Sequence, residues 1–403
     1  MLKKKTVLLV INSLAGGGAE RVLTTLLAAS EPWRERYALH LALLDRQPRA
    51  YEVPDWIETH QLDAREKLIP SLIQLRKLVA RLAPDVTLSF LTRGNVANAV
   101  AMGWRGRPWL ISERVNTSAH LGSGMAATFA KAMVRASYPR ASHVIAVSEG
   151  VADDLVANFG VRRDRISAIA NPVDHRRIAE LAKEIPAFQP RGAYMIAAGR
   201  LVPNKNFSML LDAYARAQLP VRLIIMGEGP EREALEGRAQ ALGIADRVDM
   251  PGFIDNPYAL LARAELFAMP SNAEGFPNGL VEAMACGLPV VAANCASGPS
   301  EILAGMARKA IVGPMDVDAG AIVPTNDPDR FAAALKAVIA EPRRTAAGDA
   351  ARQRSLDYGV EQAAANYWAR IEKALESRSR TAGSKRKGEV VLGSRVSQTG
   401  VSQ

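Results

Sequence analysis

Four charged side chains carry the chemistry available to this sequence: Arg200, Lys205, Glu274 and Glu282. Arg200 and Lys205 follow a strand-like apolar run, residues 193–198, that ends in Gly199. A guanidinium and an ammonium at a strand end suit a phosphate, one as a planar fork and the other as a point charge. The two glutamates flank the loop Gly275-Phe276-Pro277-Asn278-Gly279. Residues 265–269 before it read as the end of a buried strand, and residues 280–286 after it read as a short helix stopped by Gly287 and Pro289. A loop entering a helix presents unpaired N–H groups and the positive end of a dipole, which favour phosphate. A carboxylate beside phosphate repels it, so Glu274 and Glu282 make better sense as acceptors of hydroxyls, a sugar ring on one and a ribose on the other. Together the four imply a nucleotide-sugar pocket. Taken singly, each is equally a solvated loop or helix charge.

The run EGFPNGLVE resembles the signature of the retaining GT-B glycosyltransferases grouped as glycosyltransferase family 4. Three further stretches are similar to the family in the same order. Residues 7–11 read as a first strand and lead into Gly16-Gly17-Gly18-Ala19-Glu20-Arg21, like the family's glycine loop and helix. Gly199-Arg200-Leu201 with Asn204-Lys205 resembles its diphosphate site. Residues 223–227 with Glu228-Gly229-Pro230, and later Pro251-Gly252-Phe253, resemble the next two strand ends of the donor domain. Alone, three glycines or one Phe after a strand say little; the combination is specific.

The resemblance implies an α/β fold of the GT-B type, two Rossmann-like doubly wound parallel-sheet domains facing across a cleft. It implies a UDP-sugar donor held by Gly199, Gly227, Gly252 and Phe253, the last two beside the uracil. Phe276, Pro277, Asn278, Gly279, Leu280 and Glu282 would complete that site, with Gly16, Gly17 and Gly18 closing from the other domain. Glu274, Arg200, Lys205 and Arg114 are the implied catalytic set. As the anomeric bond breaks, negative charge grows on the β-phosphate, where preplaced cations and N–H groups stabilise it. Arg200 and Lys205 then stand in for a metal ion, so no cofactor and no metal are expected. No Asp pair resembles the DxD metal site of the other major glycosyltransferase fold, and Asp153-Asp154 falls in a helical stretch. Retention would follow front-face attack, the acceptor hydroxyl entering beside the departing diphosphate while Glu274 positions the sugar.

One departure from the family concerns the acceptor side. Many relatives place a His near the reacting sugar where this chain has Ile111-Ser112-Glu113-Arg114, so Arg114 or Glu113 stands there instead, with His120 close in sequence. Arg93 and Glu113 are the acceptor-side candidates, and Arg105 and Arg107 are further cations for an acceptor phosphate. SFLTRGN at 89–95 and NCASGPSEIL at 294–303 resemble the subset of the family that builds surface polysaccharides and lipid-linked oligosaccharides. That implies a UDP-hexose or UDP-N-acetylhexosamine donor and a saccharide acceptor on a lipid, with a soluble acceptor as the alternative.

Strand and helix patterns alternate along the chain, which predicts two parallel sheets. Strands are expected near 39–44, 86–91, 109–112, 143–147 and 166–169, and Leu72, Leu75, Val79 and Leu82 mark one helical face ended by Pro84. The Pro- and Gly-bearing run 183–192 marks the boundary. The domains are then 1–185 for the acceptor, 186–359 for the donor, a helix at 360–376 crossing back to the first domain, and a disordered basic tail at 377–403.

Composition agrees: 403 residues suit two cores, and 48% apolar with 23% charged residues describes a soluble globular chain. The two cysteines, Cys286 and Cys295, lack metal-like spacing, which implies a reducing compartment and no zinc site. The apolar run after Lys3-Lys4-Lys5 is too short for a leader, and no stretch is long enough to span a membrane. The expected place is the cytoplasm, including the cytoplasmic face of the inner membrane. Residues 121–140, with Leu121, Met125, Phe129 and Met133 on one face and Lys131 and Arg135 on another, form a helix that packs on its own sheet or lies on an anionic surface. A net charge of +10 invites a nucleic-acid reading, but aromatics are 5% and half the excess sits in the tail, so no stacking platform is visible. Gly16-Gly17-Gly18 also lacks the G-x-G-x-x-G spacing of dinucleotide oxidoreductases. A non-catalytic nucleotide-sugar binder remains the rival of another class.

Overall fold

The computed structural model describes residues 4–103 and 105–393, with side chains to Ser377. Apolar alternation produces two seven-stranded sheets. The first contains β1 (Lys5–Ile11), β2 (Tyr37–Leu43), β3 (Glu58–Gln61), β4 (Val86–Phe90), β5 (Trp109–Glu113), β6 (His143–Ala146) and β7 (Ile166–Ala168), in the order β3-β2-β1-β4-β5-β6-β7 and parallel throughout. The second contains β8 (Tyr194–Ala198), β9 (Arg222–Met226), β10 (Val248–Gly252), β11 (Phe267–Met269), β12 (Val290–Ala293), β13 (Met315–Val317) and β14 (Gly320–Val323). Its order is β10-β9-β8-β11-β12-β14-β13, with β13 alone antiparallel. The doubly wound GT-B architecture expected from the sequence is therefore present.

In β1, Val7, Leu9 and Ile11 face one core and Leu8 and Val10 the other, the period-2 consequence of helices on both faces. Both sheets reverse their winding between neighbouring strands, β1 with β4 and β8 with β11. Ligands of such sheets bind beyond the carboxyl ends of strands at these switch points. The glycine loop follows β1, the Gly199 loop follows β8, and the Glu274 loop follows β11, so all three sequence motifs converge there.

Two domain expectations change. The chain crosses to the second domain at Asn171–Asp174, about ten residues before the expected boundary. Val173 pairs with Gly359 where the chain crosses back, and its N–H donates to Tyr358 O at 2.7 Å. The helix His175–Leu181, capped by Asp174, packs against the donor-domain helices Asn278–Ala285 and Tyr258–Leu261. The Pro- and Gly-bearing run at 183–192 is thus a surface connection inside the second unit, and composition marked a loop rather than the crossing. The last helix runs from Val360 to Gly393 rather than stopping at 376. No proline interrupts that stretch, and its Ala, Glu, Lys and Arg are good helix formers, so the tail expected to be disordered is helical as far as 393. Residues 394–403 lie outside the described residues.

The amphipathic stretch at 121–140 divides at Gly122 and Gly124 into Thr117–Leu121 and Met125–Ser137. The longer helix buries Ala127 and Val134, while Met125 (92% exposed) and Phe129 point outward. Among the described residues no helix is long and apolar enough to cross a membrane.

Candidate active site

The donor-domain wall starts at β8. Gly199 lies against the Lys205 side chain, the carbons of which would be 3.3 Å from a Cβ there, so the strand end and the short turn Pro203–Lys205 form one surface. Lys205 Nζ donates to Glu274 Oε1 at 2.6 Å, with the carboxylate only 11% exposed. The two groups the sequence assigned to phosphate and sugar are therefore adjacent. Arg200 is exposed and makes no ion pair among the described residues, which leaves its fork available. Gly227 must be glycine: with φ +136 it approaches Gly199 so closely that a Cβ would sit 1.9 Å from its carbonyl. Gly252 adopts φ +85, a left-handed conformation that favours glycine, beside the end of the Glu228 side chain, and Phe253 beyond it is exposed.

The helix Asn278–Ala285 begins directly after Pro277. The N–H groups of Leu280 and Val281 return to Pro277 O, whereas those of Asn278 and Gly279 belong to the unpaired first turn. Phe276 and Leu280 are buried, Phe276 edge-on to Tyr358, so they hold the loop in place and offer a ligand backbone rather than side chain. Ser297 fixes the loop by donating to Glu274 O at 2.5 Å.

The first domain closes the other side. A Cβ on Gly18 would stand 3.1 Å from Asn278 Nδ2, so the glycine loop faces the helix N-terminus across the cleft. Gly16, at φ +120, turns the chain there, and Gly17 caps the helix Gly18–Ala28. Enlarging Gly18 to valine will fill that gap without touching either core. Affinity for the UDP that the sequence resemblance implies should fall by more than about tenfold, about 1.4 kcal/mol, with an unchanged melting temperature; calorimetry and thermal unfolding read the two separately.

Arg21 was not assigned a role from the sequence, although it directly follows the glycine motif. Its guanidinium forms a close ion pair with Glu282 across the cleft and donates to the Tyr258 hydroxyl at 3.4 Å. Burial pushes the Glu282 carboxyl above the ordinary range, and Arg21 works against that shift.

The acceptor-side expectations need correction. Glu113 is fully buried, accepting from the Tyr138 hydroxyl and from Arg114 N–H at 2.9 Å, and burial raises its pKa. It braces the end of β5 and does not line the cleft. Arg114 is 7% exposed. Its guanidinium donates to Tyr367 Oη at 2.7 Å and to Asn171 Oδ1, and Asn171 Nδ2 donates to Asn278 Oδ1 at 2.6 Å. Arg114 is thus buried among protein partners and linked through Asn171 to the start of the helix Asn278–Ala285, rather than open to the cleft. Gly275 seats against its backbone, where a Cβ would lie 2.4 Å from Arg114 O. Arg93 is locked in an ion pair with buried Asp45 and donates to Ser71 Oγ at 3.1 Å, so it supports the first domain. The Asn171-Pro172-Val173-Asp174 turn resembles one the family carries near its interdomain link, but Asn171 was assigned no role at the site from the sequence, and Tyr258 and Tyr367 went unnoticed because only the fold brings them there.

Residues 16–177 match the family model described as Glycosyltransferase Family 4, and residues 179–354 match Glycosyl transferases group 1. A Campylobacter jejuni enzyme named N-acetylgalactosamine-N,N'-diacetylbacillosaminyl-diphospho-undecaprenol 4-alpha-N-acetylgalactosaminyltransferase is 30% identical over 72% of this chain and 81% of its own length. The chain belongs to the GT-B glycosyltransferases of family 4. An Erwinia amylovora amylovoran biosynthesis glycosyltransferase is 23% identical over 89% of this chain and 96% of that one. Among solved structures, Anabaena HepE in complex with UDP superposes with a TM-score of 0.69 at 20% identity, covering 91% of this chain and all of that one. Sucrose-phosphate synthase from Thermosynechococcus elongatus gives 0.74 at 18% identity over 93% of this chain and 100% of the other. These two support the fold. As a glycosyltransferase, the chain has Lys205 paired with Glu274 in the donor domain and Glu282 paired across the domains with Arg21.

Proposed function

We propose that this glycosyltransferase moves one hexose or N-acetylhexosamine from a UDP-sugar, with retention and without a metal, to a lipid-linked saccharide in surface polysaccharide or glycan assembly. The observation that carries the reading is the Lys205–Glu274 pair just before the helix start, with Gly18 opposite and Arg200 exposed without an ion pair among the described residues. In this arrangement Arg200, Lys205 and the first-turn N–H groups take the charge that grows on the β-phosphate. The Glu274 carboxylate, an acceptor only, holds a hydroxyl of the transferred ring. The acceptor hydroxyl then attacks from the diphosphate side and gives its proton to the departing oxygen as the bond from the sugar to the diphosphate breaks. The C. jejuni relative, whose name carries a diphospho-undecaprenol acceptor, supports the lipid-linked class. Exposed Met125 and Phe129 form an apolar face, with the helix cations Lys131 and Arg135 on another, an amphipathic pattern suited to the membrane surface where such an acceptor resides.

The test is UDP release in EDTA from a panel of UDP-sugars, with and without a lipid-linked acceptor extract, followed by determination of the anomeric configuration. The expected result is release from one UDP-hexose or UDP-hexosamine that needs the extract and yields a retained linkage. Silence across the panel, with no UDP binding, would sink the donor assignment. Turnover only with soluble sugars would replace the acceptor class.

A further inference from the structure

We propose that His40, Glu58 and His60 form a binding site for one transition-metal dication, with Zn²⁺ the best match, on the outer edge of the first sheet. The parallel register sets His40 opposite Glu58 and Ala42 opposite His60, so the three side chains leave one face at neighbouring positions. His40 Nδ1 and His60 Nε2 are 3.1 Å apart. Glu58 Oε2 lies 3.3 Å from the first nitrogen, and Oε1 lies 3.7 Å from the second. A tetrahedral ion with bonds of about 2.0–2.1 Å sets its ligand atoms about 3.3 Å from one another. The observed separations bracket that spacing. A hydrogen bond between the rings accounts for the 3.1 Å approach by itself; what the proposal adds is that all three donors can converge on one ion.

Two imidazoles with one carboxylate favour zinc, nickel or copper over magnesium and calcium, which take oxygen ligands. Both imidazoles are 12% exposed, so their rings are held by packing, while Glu58 at 66% leaves an open side for entry and for a water ligand. The ion would tie β3, a four-residue edge strand exposed at both ends, to β2. The cluster lies mid-strand, away from the loops after β1, β8 and β11, so the proposal stands apart from the donor reading. Burial and the Arg81 charge, countered by Glu58, hold the His60 imidazole below its ordinary pKa, in the neutral form that ligates a metal, but one effect opposes binding. The same Arg81 charge would repel a cation.

The experiment uses the full chain free of any polyhistidine tag, stripped with EDTA and titrated with zinc sulfate by calorimetry. Co²⁺ replaces zinc in a parallel sample to read tetrahedral absorption. One ion per chain is expected, with the melting temperature raised by about 5 °C at saturation. His40→Gln and His60→Gln should each weaken binding by more than about tenfold, and Arg81→Gln should tighten it. Far-UV circular dichroism and cooperative thermal unfolding of each variant show that it is folded. No saturable binding to the wild-type chain, or one ion still bound by a folded His40→Gln/His60→Gln double variant, overturns the proposal.

Discussion

Replacing Lys205 with alanine will lower the rate of sugar transfer by on the order of 10²–10³-fold, mostly in kcat, while the protein stays folded. Lys205 ends a short turn after β8 and no core residue rests on it, so its loss acts on the site alone. Two effects combine. The leaving diphosphate loses a cation, and Glu274, 2.6 Å from the ammonium and 11% exposed, is left unpaired beside incoming phosphate. The second effect can be separated from the first. In a Lys205→Ala/Glu274→Gln double variant the repulsion is gone, so UDP binding should recover toward the wild-type level while turnover stays low. Initial rates of UDP release and calorimetry with UDP read the two quantities. A Lys205→Ala loss confined to KM would mean that the ammonium binds ground state and transition state alike, and the proposed leaving-group role would fall.

The Arg21→Ala variant should bind UDP roughly 10- to 100-fold more weakly, the loss of a charge-assisted contact in a partly buried setting. Its stability should change far less. The Arg21 side chain is 37% exposed, so the solvent-screened pair contributes about 1 kcal/mol or less to folding. The distinguishing feature is pH. Burial already raises the Glu282 carboxyl, and Arg21 is the charge that opposes it. Without the guanidinium the carboxyl rises further and holds its proton to higher pH, and a protonated acid accepts a ribose hydroxyl less well. Affinity in the variant should therefore improve with rising pH, and reach its plateau at a higher pH than in the wild type. Equal pH profiles for the two proteins would show that Arg21 does not set the charge of Glu282.

The architecture was legible because both halves repeat a simple rule, an apolar run ending in glycine and then a helix. The runs at 193–198 and 223–227 fall within a residue of β8 and β9. Two parts were not legible. β3, reading Glu-Thr-His-Gln, has no apolar residue and becomes a strand only because β2 offers it an edge. Arg114 and Glu113 looked like cleft residues because they end a strand where relatives carry a functional side chain. Burial was the missing information: Tyr138, Tyr367 and Asn171 come from distant sequence and enclose them. Arg21 was missed for the opposite reason, since its partner Glu282 was visible but their meeting depends on how two domains face each other. The donor motif itself needed no such knowledge, as strand, loop and helix are contiguous from Phe267 to Ala285.

The helix that starts at Val360 has a consequence for how the chain is made. Its residues Ala363, Ala364, Tyr367, Trp368, Ile371, Ala374 and Leu375 are built into the core on β1, β2 and β4, where Trp368 stacks on Trp33 at 5.2 Å and donates to Ser30 Oγ at 2.8 Å. The apolar face of the first sheet thus waits for a helix made after it before it is covered, with the whole donor unit synthesised in between. A nascent chain stalled before residue 360 carries a finished second sheet and an uncovered first one, which makes the first domain, though translated first, the last to mature.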